Sequence, residues 1–261
     1  MLSKFKRNKH QQHLAQLPKI AQSVADFTTL YSPADFRETL LRSIASATRR
    51  ICIVALYLEN DEGGQAILSA LYAAKQQRPE LDIRVLVDWH RAQRGRIGAA
   101  ACATNADWYC DMAARHPGLA IPVYGIPVNT REALGVLHLK GSIIDDTVFY
   151  TGASFNDVYL HQHERYRYDR YQLIGNRTLA DTMFDWIETN LIQAEAVNRL
   201  DQHERPKSPE IKNETRQFRQ DLRGFDYQFD GDANNEELAV TPLVGLGKRS
   251  LLNKTIFHLM P

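Results

Sequence analysis

The sequence lacks any apolar run approaching the roughly 20 residues that a helix needs to cross a bilayer. The N-terminus also lacks the apolar segment and small-residue cleavage site of a secretory signal. Charge is nearly balanced, with a net charge of +1 at pH 7, so the chain as a whole exerts no strong pull on nucleic acid. We therefore predict a cytoplasmic protein with no specific nucleic-acid partner.

Cysteine is scarce, since Cys52, Cys102 and Cys110 are the only three in the sequence. They lack the paired spacing of a zinc site, and no His-x-x-x-His pattern accompanies them, so no metal site is predicted. Cys52 lies inside an apolar run, where a buried, reduced thiol is expected. This cysteine usage favours a reducing compartment.

Positive charge is concentrated at the N-terminus, where residues 1–20 contain no acid. The basic residues there are Lys4, Lys6, Arg7, Lys9 and Lys19. Two interpretations remain open: a solvated, frayed terminus, or an arm that binds an anionic phospholipid membrane surface. The second would make the protein peripherally associated with a membrane.

Short apolar runs alternate with helical patterns over residues 31–196. Ser32-Pro33-Ala34-Asp35 has the pattern of a helix start, and Ile51–Leu58 and Ile83–Asp88 are typical of buried strands. The alternation predicts an α/β layered domain with a mixed, largely parallel central sheet flanked by helices.

Four segments are predicted along the chain. They are a basic N-terminal arm over 1–30, the α/β domain over 31–196, a polar linker over 197–242 with one helix over 209–223, and the start of a second unit over 243–261.

One motif carries chemistry: His138-Leu139-Lys140, followed by Asp145. In a strand, His138 and Lys140 would share one face, so that the imidazole could attack phosphorus while the ammonium stabilises the phosphate oxygens. Asp145 follows Lys140 by an odd number of residues, so in a strand it would face the other side. It lies in a predicted Asp145-Asp146 hairpin turn. It is expected to support the site without contacting substrate.

Further polar residues extend this candidate site. Ser154 and Asn156 could donate hydrogen bonds to phosphate oxygens, and the carboxylate of Asp169 could fix the tautomer of His138. Arg94 and Arg96 follow a strand end and could bind a diphosphate, although a solvated loop is an equal alternative. Arg131 is a weaker candidate of the same kind.

Taken together, these residues resemble the HKD motif of the phospholipase D superfamily and the G-S-x-N segment that follows it. The residues that carry this resemblance are His138, Lys140, Asp145, Gly152, Ser154 and Asn156. Over essentially the whole chain, the sequence is also similar to the bacterial CDP-diacylglycerol–serine O-phosphatidyltransferases, the phosphatidylserine synthases of that superfamily. The runs 51–58, 87–96 and 159–163 carry this closer similarity.

The resemblance implies a reaction. CDP-diacylglycerol would transfer its phosphatidyl group to L-serine through a covalent phosphohistidine at His138, releasing CMP, with no metal or other cofactor. Lys140 would bind the phosphate, and Asp169 would orient His138. The alternatives are a phospholipase D-type hydrolase, which uses water in place of serine, and an inactive half-domain that binds anionic membrane surfaces.

The sequence departs from the family pattern in two places. One additional residue separates Asp145 from Ser154, so Asp146 could instead fill the aspartate role. Members of the family carry two HKD motifs, whereas this sequence has one. We therefore expect that a homodimer or a missing C-terminal half completes the site, and that the chain alone is inactive or badly impaired.

Overall fold

The computed structural model describes residues 11–12, 15–94, 103–131, 135–224, 229–234 and 238–244. The chain divides into two compact units: Ala25–Arg219, and Met1–Val24 together with Gln220–Pro261. In the smaller unit, the short strands β1 (Ile20–Ala21) and β10 (Ala239–Val240) pair antiparallel. Among the described residues, none of the helices combines the length and apolar character needed to cross a membrane.

Strands and helices alternate through the larger unit, as the sequence pattern predicts. Its strands are β2 (Phe27–Leu30), β3 (Arg50–Val54), β4 (Asp82–Asp88), β5 (Val123–Ile126), β6 (Ser142–Ile144), β7 (Thr147–Thr151), β8 (Tyr171–Gly175) and β9 (Asn198–Arg199). The helices are α1 (Pro33–Ser46), α2 (Glu62–Gln77), α3 (Trp89–Ala92), α4 (Asn105–Arg115), α5 (Asp157–Leu160), α6 (Arg177–Ile187) and α7 (Lys212–Gly224), with a π-helical turn, Glu188–Ile192, after α6.

Helix α1 begins where the sequence predicts. The Ser32 hydroxyl accepts a hydrogen bond from the Asp35 N–H at 3.0 Å, and Pro33 occupies the first helical position, where no N–H is needed. Phe36 and Leu40, one turn apart, are fully buried against the sheet. The helix therefore covers one face of β7 and β8, where Phe36 contacts Phe149 and Tyr171.

The eight strands form one mixed sheet in the order β2-β8-β7-β6-β3-β4-β5-β9. The mixed α/β class is confirmed, but the expectation of a largely parallel sheet is wrong. Only the β3–β4 and β4–β5 pairings are parallel, and the other five described pairings are antiparallel. After β5 the strands are joined by connections such as the two-residue β6–β7 turn, which is too short for the crossover that a parallel pair requires.

Strand β3 lies at the centre of the sheet and is buried along its whole length. Cys52 has a free thiol there, and burial raises its pKa to about 12, so the predicted buried, reduced cysteine is confirmed. The strand ends at Val54, four residues before the predicted end of the apolar run. The following residues instead form a loop beside the candidate site.

Some elements lie within segments that were predicted as arm or linker. Strand β2 falls inside the predicted arm and β9 inside the predicted linker, whereas α7 matches the helix predicted over 209–223. Residues 245–261 lie outside the described residues. The four-segment division of the chain stays a prediction.

The ends of several strands surround the motif on one side of the sheet. This side, where those strands end or begin, is here called the motif edge. Strands β3 and β4 end there at Val54 and Asp88, and β6 begins there at Ser142 because it runs antiparallel to β3. Strand β7 ends at the same edge and β8 begins there, since Thr151 pairs with Tyr171. The opposite edge, here called the turn edge, contains the β6–β7 turn.

Asp145 lies in that turn, as predicted, with a positive φ of 50°. Its carboxylate accepts hydrogen bonds from the backbone N–H groups of Thr48, Arg49 and Arg50 at 2.9, 2.8 and 3.1 Å. Burial raises the pKa of Asp145, but these backbone hydrogen bonds outweigh it and hold the pKa below its ordinary value of 3.8. Asp145 therefore fastens the start of β3 to the hairpin.

Asp145→Asn is expected to lower the free energy of unfolding by about 1–3 kcal/mol near neutral pH, because at least one backbone N–H loses its acceptor and the others lose the negative charge of theirs. The lowered pKa means that the stabilisation is present above the unfolded-state pKa and is lost as the pH falls through the folded-state pKa. Urea unfolding at pH 7 and near pH 3 measures the difference, which should shrink in acid.

Asp146→Asn is the matched control. Asp146 pairs with Arg49 at the exposed end of the same turn, so its removal should cost less than about 1 kcal/mol. Equal losses for the two variants, or a loss at Asp145 that is independent of pH, would contradict this assignment.

Candidate active site

The motif segment, residues 135–141, is not the strand that the sequence predicts. It is bounded by Gly135 and Gly141, whose φ angles of +142° and +105° lie outside the strand region, and β6 begins only at Ser142. Within the segment, Leu137 is buried and the next residue, His138, is exposed. His138 is therefore accessible to a substrate.

Lys140 lies at a half-buried position two residues further on. Burial lowers the pKa of its ammonium, and the negative charge of Asp169 acts in the opposite direction. This interaction places Asp169 near Lys140 at the motif edge, just before β8. A half-buried ammonium interacts more strongly with a phosphate oxygen than a fully hydrated one does.

The turn that follows β7 is fastened to Asp169. The Gly152 N–H donates a hydrogen bond to Asp169 Oδ1 at 2.8 Å, and the Arg170 N–H donates to the same oxygen at 2.8 Å. A Cβ atom at position 152 would lie 2.7 Å from Asp169 Oδ2, so only glycine fits there without displacing the carboxylate. Asp169 thus connects this turn to the surroundings of Lys140.

Ser154 and Asn156 lie in the same turn. Ser154 is 6% exposed. The Asn156 side chain caps α5, because its Oδ1 accepts the Tyr159 N–H at 3.1 Å, and its Nδ2 donates to the Tyr57 hydroxyl at 3.1 Å. The amide predicted as a phosphate donor is therefore also a connection to the loop after β3.

The motif edge brings together most of the side chains predicted for the site. His138, Lys140, Ser154, Asn156 and Asp169 all lie there on loops next to strand ends. Asp145 and Asp146, the two candidates for the motif aspartate, lie at the turn edge. The aspartate of the motif thus acts on the scaffold, at the far end of β6 from the histidine.

The predicted arginines are less closely grouped. Arg94 is half-buried and follows α3, the short helix that starts at the motif edge, whereas Arg131 is exposed. Arg96 lies outside the described residues. Phosphate binding by these three arginines stays a prediction.

Sequence reasoning missed Asp88 as a site residue. This fully buried aspartate ends β4, and its Oδ2 accepts a hydrogen bond from the Leu137 N–H at 2.8 Å, next to His138. Its Oδ1 accepts the Arg91 N–H at 2.8 Å, and the Arg91 guanidinium lies 4.8 Å from the ring centroid of Tyr57. An acid at the end of an otherwise apolar strand was the available signal.

Within the part of the chain that the structure describes, no three His, Cys, Asp or Glu side chains come together in a way that could hold a metal ion.

Comparison with known proteins identifies close relatives, although no family model matches the chain. The chain is 73% identical over all of its 261 residues to the CDP-diacylglycerol–serine O-phosphatidyltransferase PssA of Escherichia coli, and covers 58% of that protein. It is 45% identical over 251 residues, 95% of the chain, to the CDP-diacylglycerol–serine O-phosphatidyltransferase of Haemophilus influenzae, and covers 55% of it.

A solved structure of one of these relatives has the same fold. The crystal structure of the Haemophilus influenzae phosphatidylserine synthase matches 97% of this chain with a TM-score of 0.91 and 43% identity, over 57% of that protein. The chain thus spans little more than half the length of the relatives it matches.

The electrostatic pairing of Lys140 with Asp169 can be tested without reference to any reaction. Asp169→Asn should lower the pKa of Lys140 further, because it removes the charge that favours the ammonium while retaining an oxygen that can accept the Gly152 N–H. NMR titration of the labelled lysine side chain measures this pKa. Asp146→Asn, which removes a carboxylate at the turn edge, is the control; an unchanged Lys140 pKa in Asp169→Asn would refute the pairing.

Proposed function

Because the chain belongs to the family of CDP-diacylglycerol–serine O-phosphatidyltransferases, we propose that it transfers the phosphatidyl group of CDP-diacylglycerol to L-serine. The products are phosphatidylserine and CMP. The observation that carries this proposal is the exposed His138 next to the half-buried Lys140, in a chain that shares 73% of its residues with a relative of that name. A nucleophile beside a fixed cation is what phosphoryl transfer requires.

The proposed reaction has two displacements at one phosphorus atom. A ring nitrogen of neutral His138 attacks the phosphatidyl phosphorus, and the bond from phosphorus to the CMP oxygen breaks. The serine hydroxyl oxygen then attacks the same phosphorus, the phosphorus–nitrogen bond breaks, and His138 is regenerated. Lys140 and Ser154 offer positive charge and a hydroxyl donor for the phosphate oxygens as negative charge develops on them.

A proton must move to the leaving group and away from the entering serine. We propose that a second histidine, from a second copy of this chain or from the remainder of a longer protein, carries this proton. It donates a proton to the leaving CMP oxygen and then accepts one from the serine hydroxyl. Support comes from the family resemblance, in which two histidine-lysine pairs share one site. The motif edge, where His138 is exposed, is the surface on which such a pair would complete the site.

CMP release from CDP-diacylglycerol in detergent micelles, with and without L-serine, tests the proposal. We expect CMP release to depend on serine and to equal the phosphatidylserine formed. His138→Ala should lower the rate more than about 1,000-fold, because the substitution removes the nucleophile.

His203→Ala is the matched control, since His203 is an exposed histidine beyond β9, toward the turn edge. It should leave the rate within about twofold, as distant surface substitutions usually do. Release that does not require serine would replace the transferase with a hydrolase. Release that survives His138→Ala would contradict the proposal.

We further propose that the protein acts at an anionic membrane surface in the cytoplasm. The basic residues of the N-terminal arm lie largely outside the described residues, so their sequence alone supports this role. Additional support comes from aromatic side chains near the motif edge: Tyr31 is 81% exposed and Tyr168 is 64% exposed, and they flank the paired ends of β2 and β8. Exposed tyrosines are suited to the interface between headgroups and water.

Deleting residues 1–10 should weaken binding to vesicles that contain anionic phospholipid at low salt, because it removes four basic residues that each contribute about 1 kcal/mol near such a surface. Co-sedimentation with the vesicles measures the bound fraction. Vesicles of neutral phosphatidylcholine are the control and should show little difference between the two proteins. Equal binding of both proteins to anionic vesicles would exclude a membrane role for the arm.

A further inference from the structure

The backbone around His138 is held by very few contacts. The motif segment, residues 135–141, pairs with no strand in the described structure. Its one described backbone hydrogen bond runs from the Leu137 N–H to Asp88 Oδ2, at 2.8 Å. The direction in which His138 points therefore depends on its immediate neighbour in the sequence.

Asp88 is itself rigidly fixed. It is fully buried, and its backbone N–H donates to the Leu56 carbonyl at 3.1 Å. Its second carboxylate oxygen caps α3 by accepting the Arg91 N–H at 2.8 Å. A single carboxylate thus fastens the motif segment to the end of a central strand.

Because one side of the motif segment is buried, the hydrogen bond to Asp88 also fixes which way the segment faces. Leu137 is 4% exposed, and rotating the segment would expose it while depriving the buried Asp88 carboxylate of a donor. Removing one hydrogen bond from a buried carboxylate costs about 1–3 kcal/mol, so the alternative orientation is disfavoured. Because Leu137 is buried and His138, the next residue, is exposed, this orientation of the segment keeps His138 at the surface.

The same aspartate reaches the second part of the site through α3. The Arg91 guanidinium lies 4.8 Å from the ring centroid of Tyr57, and the Tyr57 hydroxyl accepts a hydrogen bond from Asn156 Nδ2 at 3.1 Å. Asp88 therefore contacts the histidine segment directly and the Asn156 turn through two intermediates.

We propose that Asp88 is a positioning residue for the phosphatidyl transfer: it holds the Leu137 backbone so that the His138 imidazole faces the phosphorus of the substrate. The inference rests on the function proposed above. Within the described residues, the Asp88 carboxylate reaches the site through the Leu137 and Arg91 N–H groups. Its effect should consequently appear in the chemical step more than in substrate affinity.

Asp88→Asn tests this role, because asparagine keeps the size of the side chain and one acceptor but turns an NH₂ group toward the other backbone N–H. We expect kcat for CMP release to fall about 100-fold, the usual cost of a displacement of about 1 Å, with KM for CDP-diacylglycerol changed by less than about threefold.

Asp201→Asn is the matched control. Asp201 is also a buried aspartate, 8% exposed, that accepts a strand N–H, from Val123 at 3.0 Å, but it does so at the turn edge. We expect a comparable loss of thermal stability and a kcat within about threefold of the parent chain. A fall in kcat no larger for Asp88→Asn than for Asp201→Asn would overturn the proposal.

A readout that needs no turnover separates this proposal from the function on which it rests. In the parent chain the Leu137 amide should exchange slowly with solvent, and Asp88→Asn should accelerate its exchange and shift or broaden the His138 ring resonance. Asp201→Asn should do neither. CMP release that does not depend on His138 would overturn the proposed function; an unchanged Leu137 exchange rate and His138 resonance in Asp88→Asn would overturn the positioning role.

Discussion

The antiparallel pairing of β6 with β3 is the constraint on which the rest of the site depends. Because β6 runs opposite to β3 and β4, the chain must enter β6 at the edge where those two strands end. The motif segment immediately precedes β6, so His138 and Lys140 are delivered to the motif edge. The following hairpin then brings the end of β7, and with it Gly152 and Ser154, back to the same place.

Aspartates fasten this arrangement at both edges of the sheet. At the turn edge, Asp145 accepts the N–H groups that start β3, and at the motif edge Asp88 accepts the Leu137 N–H beside the histidine. Each carboxylate accepts a backbone N–H group at a point where the hydrogen bonding between neighbouring strands stops. Charged acceptors are suited to such points because hydrogen bonds to ionised groups contribute more than neutral ones.

The side chains of the site differ in how strongly the scaffold already engages them. His138 is exposed, whereas Asn156 caps α5 and contacts Tyr57, and Asp169 holds the turn at Gly152. A reaction at the motif edge would thus take place at an accessible histidine, next to polar side chains that other hydrogen bonds already hold in place. Such preorganisation is the main contribution that a protein makes to phosphoryl transfer.

The sequence by itself determined the α/β class, the start of α1 at Ser32, the hairpin turn at Asp145-Asp146 and the set of residues in the motif, because caps, turns and apolar periodicity are local properties. The direction of β6, the interruption of the strand at Gly141 and the separation of Asp145 from His138 were decided only by the tertiary structure. So was the role of Asp88, which lies 49 residues before Leu137 in the chain and meets it only when β4 and the motif segment pack together. Pairing between distant strands depends on which buried surfaces fit, and no local pattern encodes that choice.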